Sequence, residues 1–124
     1  MSNPIVTNIK TPNDLSEHLE SNPGIVIVKL GATWCQPCKK IEPVTMSWLD
    51  KLQHENISRV VLDIDECIDL YGFLKRKRVA QGVPTLLAYY KENTHYIPDD
   101  ICFGSDESET NAFFVRCVEE VKSI

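Results

Sequence analysis

The residues of this chain with types and spacing best suited to chemistry are two cysteines, Cys35 and Cys38, in the run TWCQPCKK that begins at Thr33. A CxxC pair can clip a metal, close a structural disulfide, or exchange electrons as a dithiol, and its surroundings select among the three. Zinc generally takes four ligands, and the chain has no second CxxC and no HxxxH; His18, His54, His95, Cys67, Cys102 and Cys117 are scattered without ligand spacing. No bound metal is expected. Just upstream, Ile25-Val26-Ile27-Val28-Lys29-Leu30 is a nearly unbroken apolar, β-branched run of buried parallel-strand type, in which only Lys29 does not belong. Downstream, Ile41, Val44, Trp48, Leu49 and Leu52 recur at the spacing of one helical face. The pair therefore lies between a strand and a helix. Its first sulfur falls among unpaired backbone N–H groups at the positive end of the helix dipole, which stabilises a thiolate. The thiolate is the attacking species in disulfide exchange, so Cys35 is primed for attack and Cys38, one turn on, can reach back to release a substrate. Pro37 stiffens the loop between them.

The elements that must position this pair can be read along the chain. Ile5 to Ile9 alternates weakly, as an edge strand does. Thr11-Pro12-Asn13-Asp14 combines an N-cap, a proline in the first turn and a capping-box acid, which predicts a helix from Pro12 to Glu20. Pro43 should kink the helix after the cysteines. Val60-Val61-Leu62-Asp63-Ile64 reads as a second parallel strand. Cys67 to Lys77 reads as a helix bearing Ile68, Leu70, Tyr71, Phe73 and Leu74, closed by the dipole-complementing run Lys75-Arg76-Lys77-Arg78. Pro84 to Tyr90 and a segment from His95 to about Phe103 form a predicted hairpin. The acidic turn Ser105 to Glu109 opens a last amphipathic helix carrying Phe113, Phe114, Cys117, Val118 and Val121; with Tyr89 and Tyr90, its phenylalanines belong to the core. The order β-α-β-α-β-α-β-β-α predicts an α/β fold, a layered sandwich around a mostly parallel sheet with an antiparallel edge.

Bulk properties set the outer bounds. The 124 residues, 43% hydrophobic and 25% charged, suit one globular domain spanning 1–124. A formal net charge of −5 argues against nucleic acid or an anionic membrane as a partner. MSNPIVTNIK lacks the basic start and apolar run of a signal peptide, and no window resembles a membrane span. Five cysteines, an odd count, fit a reducing compartment better than a secreted disulfide framework, so the expected location is cytoplasmic.

WCQPCKKIEP resembles the active-site signature of thioredoxins, WCxPCK followed by a helix-interrupting proline, and GVPTLLAYY resembles their GxPT strand with its cis-proline. The resemblance runs from the Ile25 strand to the last helix. It implies a thioredoxin fold, a three-layer α/β/α sandwich with a central mixed sheet, and a thiol-disulfide oxidoreductase acting on protein disulfides without a bound cofactor. Carried over by position, Cys35 is the nucleophile and Cys38 the more buried resolving cysteine. Trp34 walls the site, and Gly82-Val83-Pro84 faces the disulfide with Val83 offering backbone hydrogen bonds to a substrate. Gly104 matches the family's glycine beside the site. By the same analogy the role is reductive, electrons come from a thioredoxin reductase or glutathione system, and the protein is a monomer.

Three positions depart from the family pattern. Lys29 stands where thioredoxins carry a buried aspartate that helps deprotonate the resolving cysteine, an inversion of charge that makes Lys29 a candidate catalytic residue. Asp63, on the same face of the neighbouring strand, is its expected partner, as if the acid and base had exchanged strands; otherwise Lys29 reaches out along the sheet edge and touches neither cysteine. Gln36 replaces a glycine between the cysteines, altering the dipeptide that tunes the redox potential, and Gly31 replaces a tryptophan, opening the surface near the site. These departures keep a second reading in play, a thioredoxin-fold binding or redox-sensing module with little turnover. Cys117 falls on an apolar stripe as an inert thiol, whereas Cys67 and Cys102 are candidates for regulatory oxidation.

Overall fold

The computed structural model describes residues 2–124. Helix α1 (Pro12–Glu20) starts where the sequence places it: Thr11 accepts a hydrogen bond from the Asp14 N–H while Asp14 accepts one from the Thr11 N–H, the reciprocal capping box. Strand β1 (Ile25–Gly31) is buried along its whole length. It is followed by α2 (Gln36–Lys51), β2 (Ile57–Asp63), a 3-10 turn (Ile64–Glu66), α3 (Ile68–Arg76), β3 (Thr85–Tyr90), β4 (Asp100–Phe103) and α4 (Glu107–Lys122).

The strands form one mixed sheet in the order β2-β1-β3-β4, with β1 parallel to β2 and antiparallel to β3, and β4 antiparallel to β3. Alternation along β1 divides the interior into two layers. Val26, Val28 and Leu30 face Leu15 and Leu19 of α1 and Leu70 and Leu74 of α3. Ile25 and Ile27 face Leu49 of α2 and Phe113, Phe114 and Cys117 of α4. This is the three-layer α/β/α sandwich of the thioredoxin fold. Lys29 shares the parity of Ile25 and Ile27, so it points toward the α2 layer from a central strand and has no sheet edge to reach along.

Three sequence expectations shift. The first strand shrinks to a single bridge, in which the Val6 N–H donates to Arg59 and the Val61 N–H to Val6. Pro4 has no N–H to extend the ladder, and the Asn3 amide donates to the Ile57 and Glu55 carbonyls instead. Ile68, expected on the apolar face of its helix, is 72% exposed. It lies two residues, about 200° of helical rotation, from buried Leu70. The hairpin is regular only at its base, because the Asn93 and Asp99 side chains hold 91–99 by bonding its backbone: Tyr90 N–H donates to Asp99 Oδ2, and Asn93 Nδ2 donates to the Ile97 carbonyl. Pro43 lies inside α2 without ending it.

Candidate active site

The end of β1 and the start of α2 bring the two cysteines together. Cys35 is the N-cap of α2; its backbone is extended, and its sulfur accepts the Cys38 N–H at 3.2 Å, one of the amides that a helix start leaves unpaired. Gln36 and Pro37 form the exposed first turn, where the absent proline N–H leaves no bond unmade. The pair is joined as a disulfide with the α-carbons 5.3 Å apart.

A second segment closes over the sulfurs. The Val83–Pro84 peptide bond is cis, and the Val83 carbonyl lies 3.6 Å from Cys35 Sγ. Two contacts fix this loop: the Thr85 hydroxyl donates to the Gly82 carbonyl at 2.6 Å, and the Gly104 N–H donates to the Pro84 carbonyl at 2.9 Å. Gly104 has φ +104°, so the chain turns back toward Pro84 through a conformation that favours glycine. The loop covers Cys35 enough that the expected contrast in burial is not seen, both cysteines being 4% exposed. Trp34 is the opposite case. Its ring is 62% exposed and is held at the rim by its indole N–H, which donates to Asp65 Oδ2 at 2.9 Å. Asp65 lies in the 3-10 turn after β2, and no spacing in the chain suggests this contact.

Lys29 corrects the predicted pairing. In the register Lys29 lies opposite Val61, and Asp63 stands on the same face of β2 as expected. Its ammonium, however, pairs with Glu42 Oε1 on α2 at 3.3 Å, with side-chain exposures of 11% and 44%. Asp63 Oδ1 instead accepts the Asp65 N–H and caps the 3-10 turn. Glu42 was legible in principle, since it follows Cys38 by four residues and so shares its helix face. Gly31 leaves a cavity of about 210 Å³ between these groups, lined by Lys29, Cys38, Lys39, Glu42 and Asp63.

The other cysteines lie apart from this centre, free and buried. Burial, with Asp63 adding to it, pushes the Cys67 thiol up to about 11. Burial likewise raises Cys102, and together with Asp100 pushes Cys117 up to about 12. These environments suit protonated, unreactive thiols, against the expectation that Cys67 and Cys102 serve as oxidation switches. Among the described residues, no group of three His, Cys, Asp or Glu side chains is arranged to hold a metal ion.

A disulfide-forming CxxC at a helix start, facing a cis-proline loop on this α/β/α sandwich, defines a thiol-disulfide oxidoreductase. Comparison with known proteins then fixes the lineage. The thioredoxin family model matches residues 6–109. Thioredoxin-2 of Saccharomyces cerevisiae is 32% identical over 85 residues, covering 68% of this chain and 76% of the yeast protein. Thioredoxin 3 of Plasmodium falciparum is 24% identical over 78% of this chain, a stretch that spans only 51% of that protein. The structure of Trichomonas vaginalis thioredoxin superposes with a TM-score of 0.70 at 25% identity, over 94% of this chain and 99% of that one. The chain belongs to the thioredoxin family.

Proposed function

We propose that this protein is a reductant of protein disulfides in which Cys35 is the nucleophile and Cys38 the resolving thiol. The carrying observation is the position of Cys35 at the α2 N-terminus, its sulfur on a helix amide and against the Val83-Pro84 loop. In the reduced protein, the Cys35 thiolate attacks one sulfur of a substrate disulfide, forming a mixed disulfide and expelling the other substrate sulfur as a thiolate that takes up a proton. Cys38, after losing its proton, attacks Cys35 Sγ. The Cys35–Cys38 bond forms, the Cys35–substrate bond breaks, and the second substrate thiolate leaves to be protonated. Two electrons and two protons have passed to the substrate.

Substrate segments are read as lying along the rim made by Trp34, Gln36, Pro37 and Gly82-Val83-Pro84, with the Val83 backbone offering hydrogen bonds and Gly104 holding the loop beneath it. The electron donor is proposed to be a thioredoxin reductase or a glutathione system, and the working unit a monomer. Three free, buried thiols favour a reducing cytoplasmic compartment. No helix among the described residues is long and apolar enough to cross a membrane.

Reduction of insulin by dithiothreitol tests the reading. The wild-type protein should accelerate it, Cys35→Ser should return the rate to background, and Cys38→Ser should accumulate a mixed disulfide visible as added mass. Absence of acceleration by the wild type would instead favour the binding or sensing module.

A further inference from the structure

The cavity beneath Gly31 is lined both by an ion pair and by the sulfur that must lose a proton. A Cβ built on Gly31 would have both Lys29 Nζ, at 3.6 Å, and Cys38 Sγ, at 3.9 Å, as neighbours, so the ammonium and the sulfur converge on one point in the cavity wall. Glu42 lies on the same wall, bound to Lys29 and half open to solvent. The charged groups facing this space are Lys29 from β1, Lys39 and Glu42 from α2, and Asp63 from β2. Asp63 is engaged as the cap of the 3-10 turn, which leaves Glu42 as the carboxylate held on the Lys29 ammonium.

We propose that the Lys29–Glu42 pair is the proton port of Cys38: solvent filling the cavity passes the Cys38 proton to the Glu42 carboxylate, while the Lys29 ammonium holds that carboxylate in place and balances the thiolate left behind. The proposal rests on the assignment of Cys38 as the resolving thiol. In the release step the Cys38 S–H bond breaks and its proton moves to Glu42. The Cys38 electron pair forms the Cys35–Cys38 bond, the departing sulfur takes the electrons of the broken Cys35–substrate bond, and Glu42 returns its proton to that thiolate or to bulk water. No further reactant is required. Lys29 and Glu42 act on Cys38 through the cavity and are positioning residues in this scheme. A nearby ammonium favours a thiolate, so an inverted charge at position 29 is compatible with resolution once a carboxylate is supplied from the helix.

The test uses the reduced full chain and an aromatic disulfide whose released thiolate absorbs light, so that capture by Cys35 and release by Cys38 appear as two successive bursts. In Glu42→Gln the first burst should keep its wild-type rate, while the second slows about a hundredfold at pH 7, the lower side of what a lost proton-transfer group removes. The two proteins should converge as pH rises and hydroxide removes the Cys38 proton without the carboxylate. Gly31→Leu, which fills the space between the pair and the sulfur, should reproduce the same selective slowing. A second burst unchanged in Glu42→Gln, or slowed by one constant factor at every pH, overturns the port. A wild-type protein with no first burst overturns the underlying assignment of Cys35, a failure separate from that of the port.

Discussion

Gly104 shows how a single residue supports the site without touching sulfur. Nothing lies within 4 Å of where its Cβ would be, so space does not require glycine there; the φ of +104° does. Gly104→Ala should therefore lower stability by about 1–3 kcal/mol, the range for backbone strain of this kind, read as a drop in the urea midpoint at unchanged slope. The bond from its N–H to Pro84 also weakens in that variant, so its KM for a protein disulfide should rise more than its kcat falls. At this scale the sequence was legible where a residue's role follows from its neighbours in the chain. Cys35 and Cys38 are bonded at the helix start, and the Val83 carbonyl of the cis-proline loop lies against Cys35. It was opaque where the partner comes from another element: the helix face of Glu42 was readable from its spacing to Cys38, but its pairing with Lys29, like that of Asp65 with Trp34, depends on how α2 and the 3-10 turn lie over the sheet.

Elements were legible in proportion to how fully their own side chains determine them. Helix α1 matches its expected ends because its cap is built from Thr11, Pro12 and Asp14 themselves. The N-terminal strand and the outer hairpin fell short because asparagine and aspartate side chains took backbone groups that a ladder would have used. One contact between elements carries a pH dependence. His18 of α1 is half-buried, with Nε2 2.7 Å from the Ser58 hydroxyl on β2, and burial lowers its pKa below the ordinary value. The unfolded chain thus binds a proton more readily than the folded one. This contribution is complete above ~6.5, the unfolded value, and is lost as pH falls from there through the lower folded pKa. Urea midpoints taken between pH 7.5 and 5 should fall for the wild type by more than for His18→Asn, and the difference between the two proteins should vanish if His18 titrates alike in both states.

On the scale of the whole molecule, the chain keeps two cysteines for chemistry and shields three. The active pair sits at one end of the sheet, where β1 stops and α2 begins, so its sulfurs gain helix amides and a solvent-facing rim. Cys67, Cys102 and Cys117 are buried at the end of the 3-10 turn, on β4 and on α4, where burial favours the neutral thiol. The thiolate is the species that attacks alkylating agents and disulfides, so a raised pKa and lost access suppress reactivity together. The odd cysteine count follows from this division, since the chain contains one working pair and three buried thiols with no disulfide partner. Brief treatment of the reduced native protein with iodoacetamide at pH 7.5 should modify Cys35 first, with Cys67, Cys102 and Cys117 unmodified in the peptide map. The same treatment in denaturing urea should modify all five. Because these three thiols become reactive only on unfolding, their labelling rate in intermediate urea should follow the global transition measured by fluorescence. Labelling of Cys67 or Cys102 well below that transition would mean that part of the fold opens on its own, and would restore it as a site of regulatory oxidation.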